Sequence, residues 1–205
     1  MQELSNKRVL IAGRFSMVGR AVEKYLEQEN CSIHGWSHAN LDYLDKNQVE
    51  LQFNTIKPQI VILLAATNGN LGYNQQYPAN IFYETSQIAL NILNTCVRHN
   101  VEKVISLISS CAYPDLGEKP LVETDFWTGE PNNTVSAHGY AKRTILEYSK
   151  QLNKQFGLKS IGMVVNTIYG PYDNFNPEKT KVVGSLIKKF LDAEKKHHDI
   201  VLFGS

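Results

Sequence analysis

The sequence predicts an α/β protein built on a Rossmann-like, doubly wound parallel sheet, and three observations predict it. Short apolar runs at Arg8–Gly13, Cys31–Trp36, Gln59–Ala66, Lys103–Ser109, Ser160–Val165 and Ile200–Phe203 alternate with longer segments of helical period. The runs are nearly continuous in apolar residues, as in strands buried on both faces of a parallel sheet. A turn bounded by Gly13 and Gly19 separates the first run from the first helical segment. In such folds that turn faces the phosphates of a ligand.

The elements follow in order. Met17–Glu29 is the first helix. Asp45 caps a second over Lys46–Ile56, which Pro58 stops. From Ala79 to Asn100, Ile81, Ile88, Ile92 and Cys96 share a face with Phe82, Ala89, Leu93 and Val97. From Ser136 to Phe156 the apolar stripe is Ala137, Ala141, Ile145, Tyr148, Leu152 and Phe156, and a last helix covers Lys181–Lys195. The irregular stretches Ala112–Val135 and Asn166–Thr180 each follow a strand, at the sheet end where these folds bind ligands.

Composition excludes several classes. The chain has 205 residues, 21 Lys and Arg against 20 Asp and Glu, and 42% hydrophobic residues. A disordered chain is less apolar and more highly charged, and a dedicated nucleic-acid binder carries a basic excess. The longest apolar run, Ile60–Ala66, has seven residues, against the roughly 20 that span a bilayer. The N-terminal MQELSNKR has no apolar segment of the signal-peptide kind. Cys31, Cys96 and Cys111 lack metal-ligand spacing. They predict reduced thiols in a cytoplasmic compartment, with no metal, membrane or nucleic-acid partner.

The turn reads Gly13-Arg14-Phe15-Ser16-Met17-Val18-Gly19. It keeps the outer glycines of a GxxGxxG phosphate turn and places Ser16 in the middle, where a positive φ would cost energy. A plain tight strand–helix turn is the other reading. The second strand ends His34-Gly35-Trp36-Ser37-His38, without the acid that holds the ribose hydroxyls in NAD sites. Arg14, Ser37 and His38 instead suit a 2′-phosphate, which favours NADP; an ordinary surface histidine is the equal alternative for His38.

The segment Ser109-Ser110-Cys111-Ala112-Tyr113-Pro114-Asp115 resembles the SSxCxYP of GDP-L-fucose synthases. These are NADPH-dependent 3,5-epimerase-4-reductases acting on GDP-4-keto-6-deoxymannose. Leu41-Asp42-Tyr43-Leu44-Asp45, Ala65-Ala66, Tyr77-Pro78-Ala79-Asn80 and Tyr140-Ala141-Lys142-Arg143 agree in order and spacing. Asn166-Thr167-Ile168-Tyr169-Gly170-Pro171-Tyr172-Asp173-Asn174-Phe175 resembles the family's TNxYGPxDNF. The resemblance implies that Ser109 bonds the keto oxygen, Cys111 is an epimerase acid/base, and Lys142 holds the nicotinamide ribose. It further implies NADP contacts from Gly13, Arg14, Ser16, Met17, Val18, Gly19, Leu41, Asp42, Ala65, Ala66, Val165, Asn166 and Ile168. Ser110, Asn174, Lys189 and Phe203 would touch the nucleotide sugar, and a homodimer would form through the two long helices. For Cys111 the plainer reading is a packed small hydrophobe, for Ser109 a turn cap, and for Lys189 a solvated face.

Two departures from the family pattern bear on mechanism. The family's general acid is a Tyr one helical turn before the Lys; counting back four from Lys142 reaches His138. Tyr140 lies two residues from Lys142, on about the opposite side of the helix. An imidazole titrates near 6.5, but an adjacent Lys disfavours its acidic form. Lys181 stands where the family has a second epimerase acid/base, a His; a lysine is a poor base unless desolvated.

The expected domains are a dinucleotide-binding domain at 1–165 and an incomplete substrate-binding portion at 166–205. Family members continue about 100 residues further, which leaves either a truncated product or a wall supplied by a partner. The leading expectation is an NADP-dependent nucleotide-sugar epimerase/reductase, impaired or retuned. The alternative is a non-catalytic dinucleotide- or nucleotide-sugar-binding homologue acting as a regulatory or partner subunit.

Overall fold

A computed structural model describes residues 4–37 and 39–200. Its strands are β1 (Arg8–Ala12), β2 (Ser32–His34), β3 (Ile60–Leu63), β4 (Lys103–Ser109) and β5 (Ser160–Val165). They form one sheet in the order β2-β1-β3-β4-β5, and every neighbouring pair is parallel. The helices are α1 (Met17–Leu26), α2 (Lys46–Ile56), α3 (Leu71–Gln76), α4 (Pro78–Arg98), α5 (Ser136–Phe156) and α6 (Val182–Lys196). The sheet order reverses at β1, whose neighbours are β2 and β3, so the crevice beyond their carboxyl ends is the place for a ligand.

Local chemistry sets the boundaries. Asp45 accepts hydrogen bonds from the N–H groups of Asn47 (2.8 Å) and Gln48 (3.4 Å), and α2 starts at the next residue as the sequence predicts. α5 ends at Gly157, which takes the left-handed conformation (φ 76°) that glycine adopts without strain. α3 was not anticipated. It has no apolar period and depends on Asn70, whose Oδ1 accepts from Tyr73 N–H at 2.9 Å. The first strand and helix are shorter than expected, and a short 3₁₀ turn at 110–112 leads into Ala112–Val135, which contains two more, 123–127 and 133–135. Of the expected strand Ile200–Phe203 only Ile200 lies within the described residues, and it is outside the sheet.

Both faces of β1 and β3 are buried. Leu10, Ala12, Val61 and Leu63 join Val49, Phe53, Ile92, Leu93 and Ile145 from α2, α4 and α5. Val9, Ile11, Ile60 and Ile62 pack on the other side with Leu26 and Val22 of α1. Each such side chain contributes about 1.5–3 kcal/mol through burial. The expectation of strands covered on both faces fails at β5, where Ile161, Met163 and Val164 are exposed. It is one of the two edge strands of the described sheet. Two members of the expected helix stripes also face outward, Phe82 of α4 and Phe156 of α5. Both lie near a helix end. Among the described residues no helix is long and apolar enough to cross a membrane.

Candidate active site

The chain leaves β1 through Gly13, whose φ of 95° suits glycine and whose added Cβ would come within 3.0 Å of Ala65 N. A Cβ on Gly19 would run into the carbonyl oxygens of Gly13 and Arg14. These two glycines let α1 settle directly onto the turn. Ser16 needs no special backbone: its φ is −71°, and its Oγ accepts the Gly19 N–H at 3.1 Å as the α1 N-cap. The strain expected from a serine at the middle position does not arise. The turn therefore retains a helix N-terminus with Ser16, Met17 and Val18 lining a cavity of about 350 Å³.

The opposite wall of that cavity comes from the ends of β4 and β5 and from α5. Ser109, Ser110, Cys111, His138, Lys142, Val165, Asn166 and Ile168 all line it, with Ala66 from the loop after β3. A second cavity, about 360 Å³, opens beside it between α3 and the start of α6. Asn68, Cys111, His138 and Lys181 line both. The predicted candidate acids and bases thus gather at one junction, although they come from three separate parts of the chain.

Ser109 ends β4 and caps the 3₁₀ turn, its Oγ accepting from Cys111 N–H at 3.2 Å; the hydroxyl proton stays available to a ligand. Ser110 Oγ donates to Asn166 Oδ1 at 3.1 Å. Lys142 is buried, and its Nζ donates to the Leu107 carbonyl at 2.8 Å; burial pushes its ammonium down to about 8. His138 lies one helical turn earlier and is 3% exposed. Burial, helped by the cations of Lys142 and Lys181, pushes its imidazole down to about 3. It is neutral at physiological pH. Lys181 Nζ donates to the Gly69 carbonyl at 2.6 Å, and burial lowers its ammonium too, while Cys111 and Asp173 act in the opposite sense.

Gly139 explains how α5 comes so close. A Cβ there would overlap the Cys111 carbonyl oxygen and press on Pro131. Tyr140 turns outward, its ring packing near the Arg143 guanidinium at 5.7 Å, and does not line either cavity.

Other predicted residues sit elsewhere. Leu41 is buried in the core, and Asp42 Oδ1 accepts from Leu44 N–H. Arg14 lies along Gly35 at the end of β2, with its guanidinium bonded to Glu23 and to the Ile33 carbonyl. Gly13, Gly19 and Ala65 shape the turn from behind. Asn174 Oδ1 accepts from Asn176 N–H in the 166–180 segment, and Lys189 is on α6; neither lines the two cavities. His38 and Phe203 lie outside the described residues. Asn68, Gly139, Asp173 and Lys179 were not singled out from the sequence. The signals for the first two were a polar break, Thr67-Asn68-Gly69-Asn70, after an apolar strand and a lone glycine within a helical period.

The chain is 33% identical to the GDP-L-fucose synthase of Dictyostelium discoideum, over 100% of this chain and 65% of that protein. It is 31% identical to the GDP-L-fucose synthase of Escherichia coli, over 98% of this chain and 64% of that protein. The chain thus spans about two thirds of the length of these curated relatives. Among solved structures, a GDP-L-fucose synthetase from Naegleria fowleri bound to NADP superposes with a TM-score of 0.88 at 29% identity, over 98% of this chain and 66% of that one. The sequence model described as the NAD dependent epimerase/dehydratase family matches residues 9–205. With its parallel sheet and glycine turn, the chain belongs to the NAD dependent epimerase/dehydratase family.

Proposed function

We propose that the chain is the dinucleotide-binding part, with a portion of the substrate-binding part at 166–205, of an NADP(H)-dependent epimerase/reductase acting on a GDP-linked keto-sugar. The observation that carries this reading is the junction where Cys111, His138 and Lys181 line both cavities, one of which also holds Ser109 and Lys142. The similarity to GDP-L-fucose synthases supports the sugar class, and the NADP-bound Naegleria structure supports the cofactor.

The residues fit a dinucleotide. The Gly13 and Gly19 positions leave no room for a Cβ, and the α1 N-terminus offers N–H groups to a pyrophosphate. Lys142 and Asn166 would hold the ribose end, and Arg14 a 2′-phosphate. The bound cofactor supplies hydride. Ser109, with its hydroxyl proton free, polarises a carbonyl at the junction. Cys111 and Lys181 face a carbon beside it and move its proton; desolvation brings Lys181 closer to a useful base. His138 is neutral and offers no imidazolium, so carbonyl reduction is slow. Exposed Tyr83 and Tyr140 on the packed pair α4 and α5 support a homodimer through those helices, and the three free thiols support a cytoplasmic setting.

NADPH oxidation with a GDP-keto-sugar, abolished by Ser109→Ala, tests the reading; no turnover between about pH 5 and 9 would overturn the catalytic part. A second reading, a non-catalytic dinucleotide- or nucleotide-sugar-binding subunit, is favoured by the depressed His138. Calorimetric binding of NADPH without turnover would select it.

A further inference from the structure

Among the described residues four side chains line both cavities, and Asn68 is the one without a role. Its surroundings dictate which way its amide faces. Asn74 Nδ2 is within reach of the carbonyl oxygens of Gly69 (3.2 Å) and Asn70 (2.9 Å), so that atom is the amino group. The same Nδ2 lies 3.2 Å from Asn68 Oδ1, which also accepts the Gly69 N–H at 2.8 Å. Two donors on one atom identify it as the carbonyl oxygen. Asn68 Nδ2 is therefore the atom that meets His138 Nε2, at 3.5 Å. An amide N–H can only donate, so Nε2 is the acceptor and the ring proton resides on Nδ1.

The backbone holds this relay in place. Thr67 N–H bonds Thr85 Oγ1 at 3.2 Å, Thr85 Oγ1 donates to the Thr67 carbonyl at 2.9 Å, and Thr67 Oγ1 donates to Glu84 at 2.7 Å. The loop is thereby pinned to α4. His138 Nδ1 is buried and has no hydrogen-bond partner among the described residues. A buried N–H without an acceptor is unfavourable, so this tautomer depends on the Asn68 contact at Nε2.

We propose that Asn68 is a positioning residue that locks His138 in the Nδ1–H neutral tautomer, so that the imidazole is not a proton-transferring acid. The inference deepens the proposed function and rests on it for the place of His138 beside a reacting carbonyl. Two cations favour neutrality of the imidazole, Lys142 from α5 and Lys181 at the start of α6; Cys111 and Lys179 are further titratable groups lining the cavity beside it. Asp173, on the 166–180 segment, is the acidic group lining the same cavity.

Ring-¹⁵N-labelled histidine in the full chain tests this directly, with the His138 signals identified by their loss in His138→Gln. The expected spectrum shows a protonated Nδ1 and an unprotonated Nε2, unchanged between about pH 5 and 8. A protonated Nε2 in the unaltered protein overturns the proposal. In Asn68→Asp the new carboxylate accepts from Nε2, and the signals should move to the Nε2–H tautomer or to imidazolium. In Asn68→Val, which removes the donor, the two tautomers should mix. Unchanged signals in both variants, with folding verified by circular dichroism, also overturn it. If a variant fails to fold, the spectrum of the unaltered protein decides alone. Because these signals need no substrate, a correct tautomer without NADPH oxidation would count against the proposed function and leave this inference standing.

Discussion

His138 and Lys142 project from the same side of α5 one turn apart, both buried and both lining the cavity beside the glycine turn. Their proximity works against a shared positive charge. Lys142 keeps a carbonyl partner on β4, and His138 keeps none that could stabilise an imidazolium.

The first prediction follows from that arrangement. His138 is held neutral down to about 3, while an unfolded chain protonates its histidine near 6.5. Below that value the unfolded state binds the extra proton, so stability falls as pH drops from 6.5 towards 3. At about pH 4.5 this loss is on the order of a few kcal/mol from His138 alone. Urea unfolding at several pH values should show His138→Gln losing less stability on the acid side than the unaltered protein.

A tyrosine at position 138 would stand one turn from a lysine whose charge favours its ionised form. His138→Tyr is expected to raise NADPH-dependent carbonyl reduction on the order of 100-fold, the scale of one positioned acid. Steady-state rates with a GDP-keto-sugar check it. A fall in rate would mean that His138 already performs the step.

In the proposed reading Arg14 is the cation that meets a 2′-phosphate, and Glu23 holds it half-buried against the end of β2. Glu23 raises the guanidinium further, so it stays charged. Arg14→Ala should raise KM for NADPH about 10-fold and leave KM for NADH nearly unchanged, since one charged phosphate contact is lost. An equal effect on both cofactors would remove Arg14 from the 2′-phosphate site.

Much of this was legible in the sequence, for physical reasons. β4, β5, α2 and α5 fall where periodicity and caps put them, because Asp45 and Gly157 are strong local signals. The gathering of Ser109, Cys111, His138, Lys142 and Lys181 was legible through motif order, although no local rule places residue 181 beside residue 111. α3 was not legible, since one Asn70 cap and contacts to the Pro177 and Glu178 carbonyls support it. Asn68 was equally hidden: its importance depends on a relay through Asn74 to His138 that forms only when the loop folds. The exposed face of β5 was also invisible, because an apolar run reads alike in an edge strand and in a central one.

Gly139 offers the most selective test of the junction's geometry. It is buried in α5, next to His138, and its missing Cβ is what lets the helix rest on the Cys111 carbonyl. In an isolated helix alanine is preferred over glycine by about 1 kcal/mol, so propensity alone predicts that Gly139→Ala stabilises the protein. The contact predicts the opposite. The methyl group must displace the 110–112 turn, a backbone movement costing about 1–3 kcal/mol in a packed interior. A displacement of about 1 Å at Cys111 relative to His138 and Lys181 is enough to lower a rate on the order of 100-fold. Gly139→Ala should therefore lower the thermal midpoint and slow Cys111-dependent exchange of substrate protons into heavy water, while NADPH binding to the glycine turn persists. A higher midpoint with unchanged exchange would show that α5 does not depend on this contact.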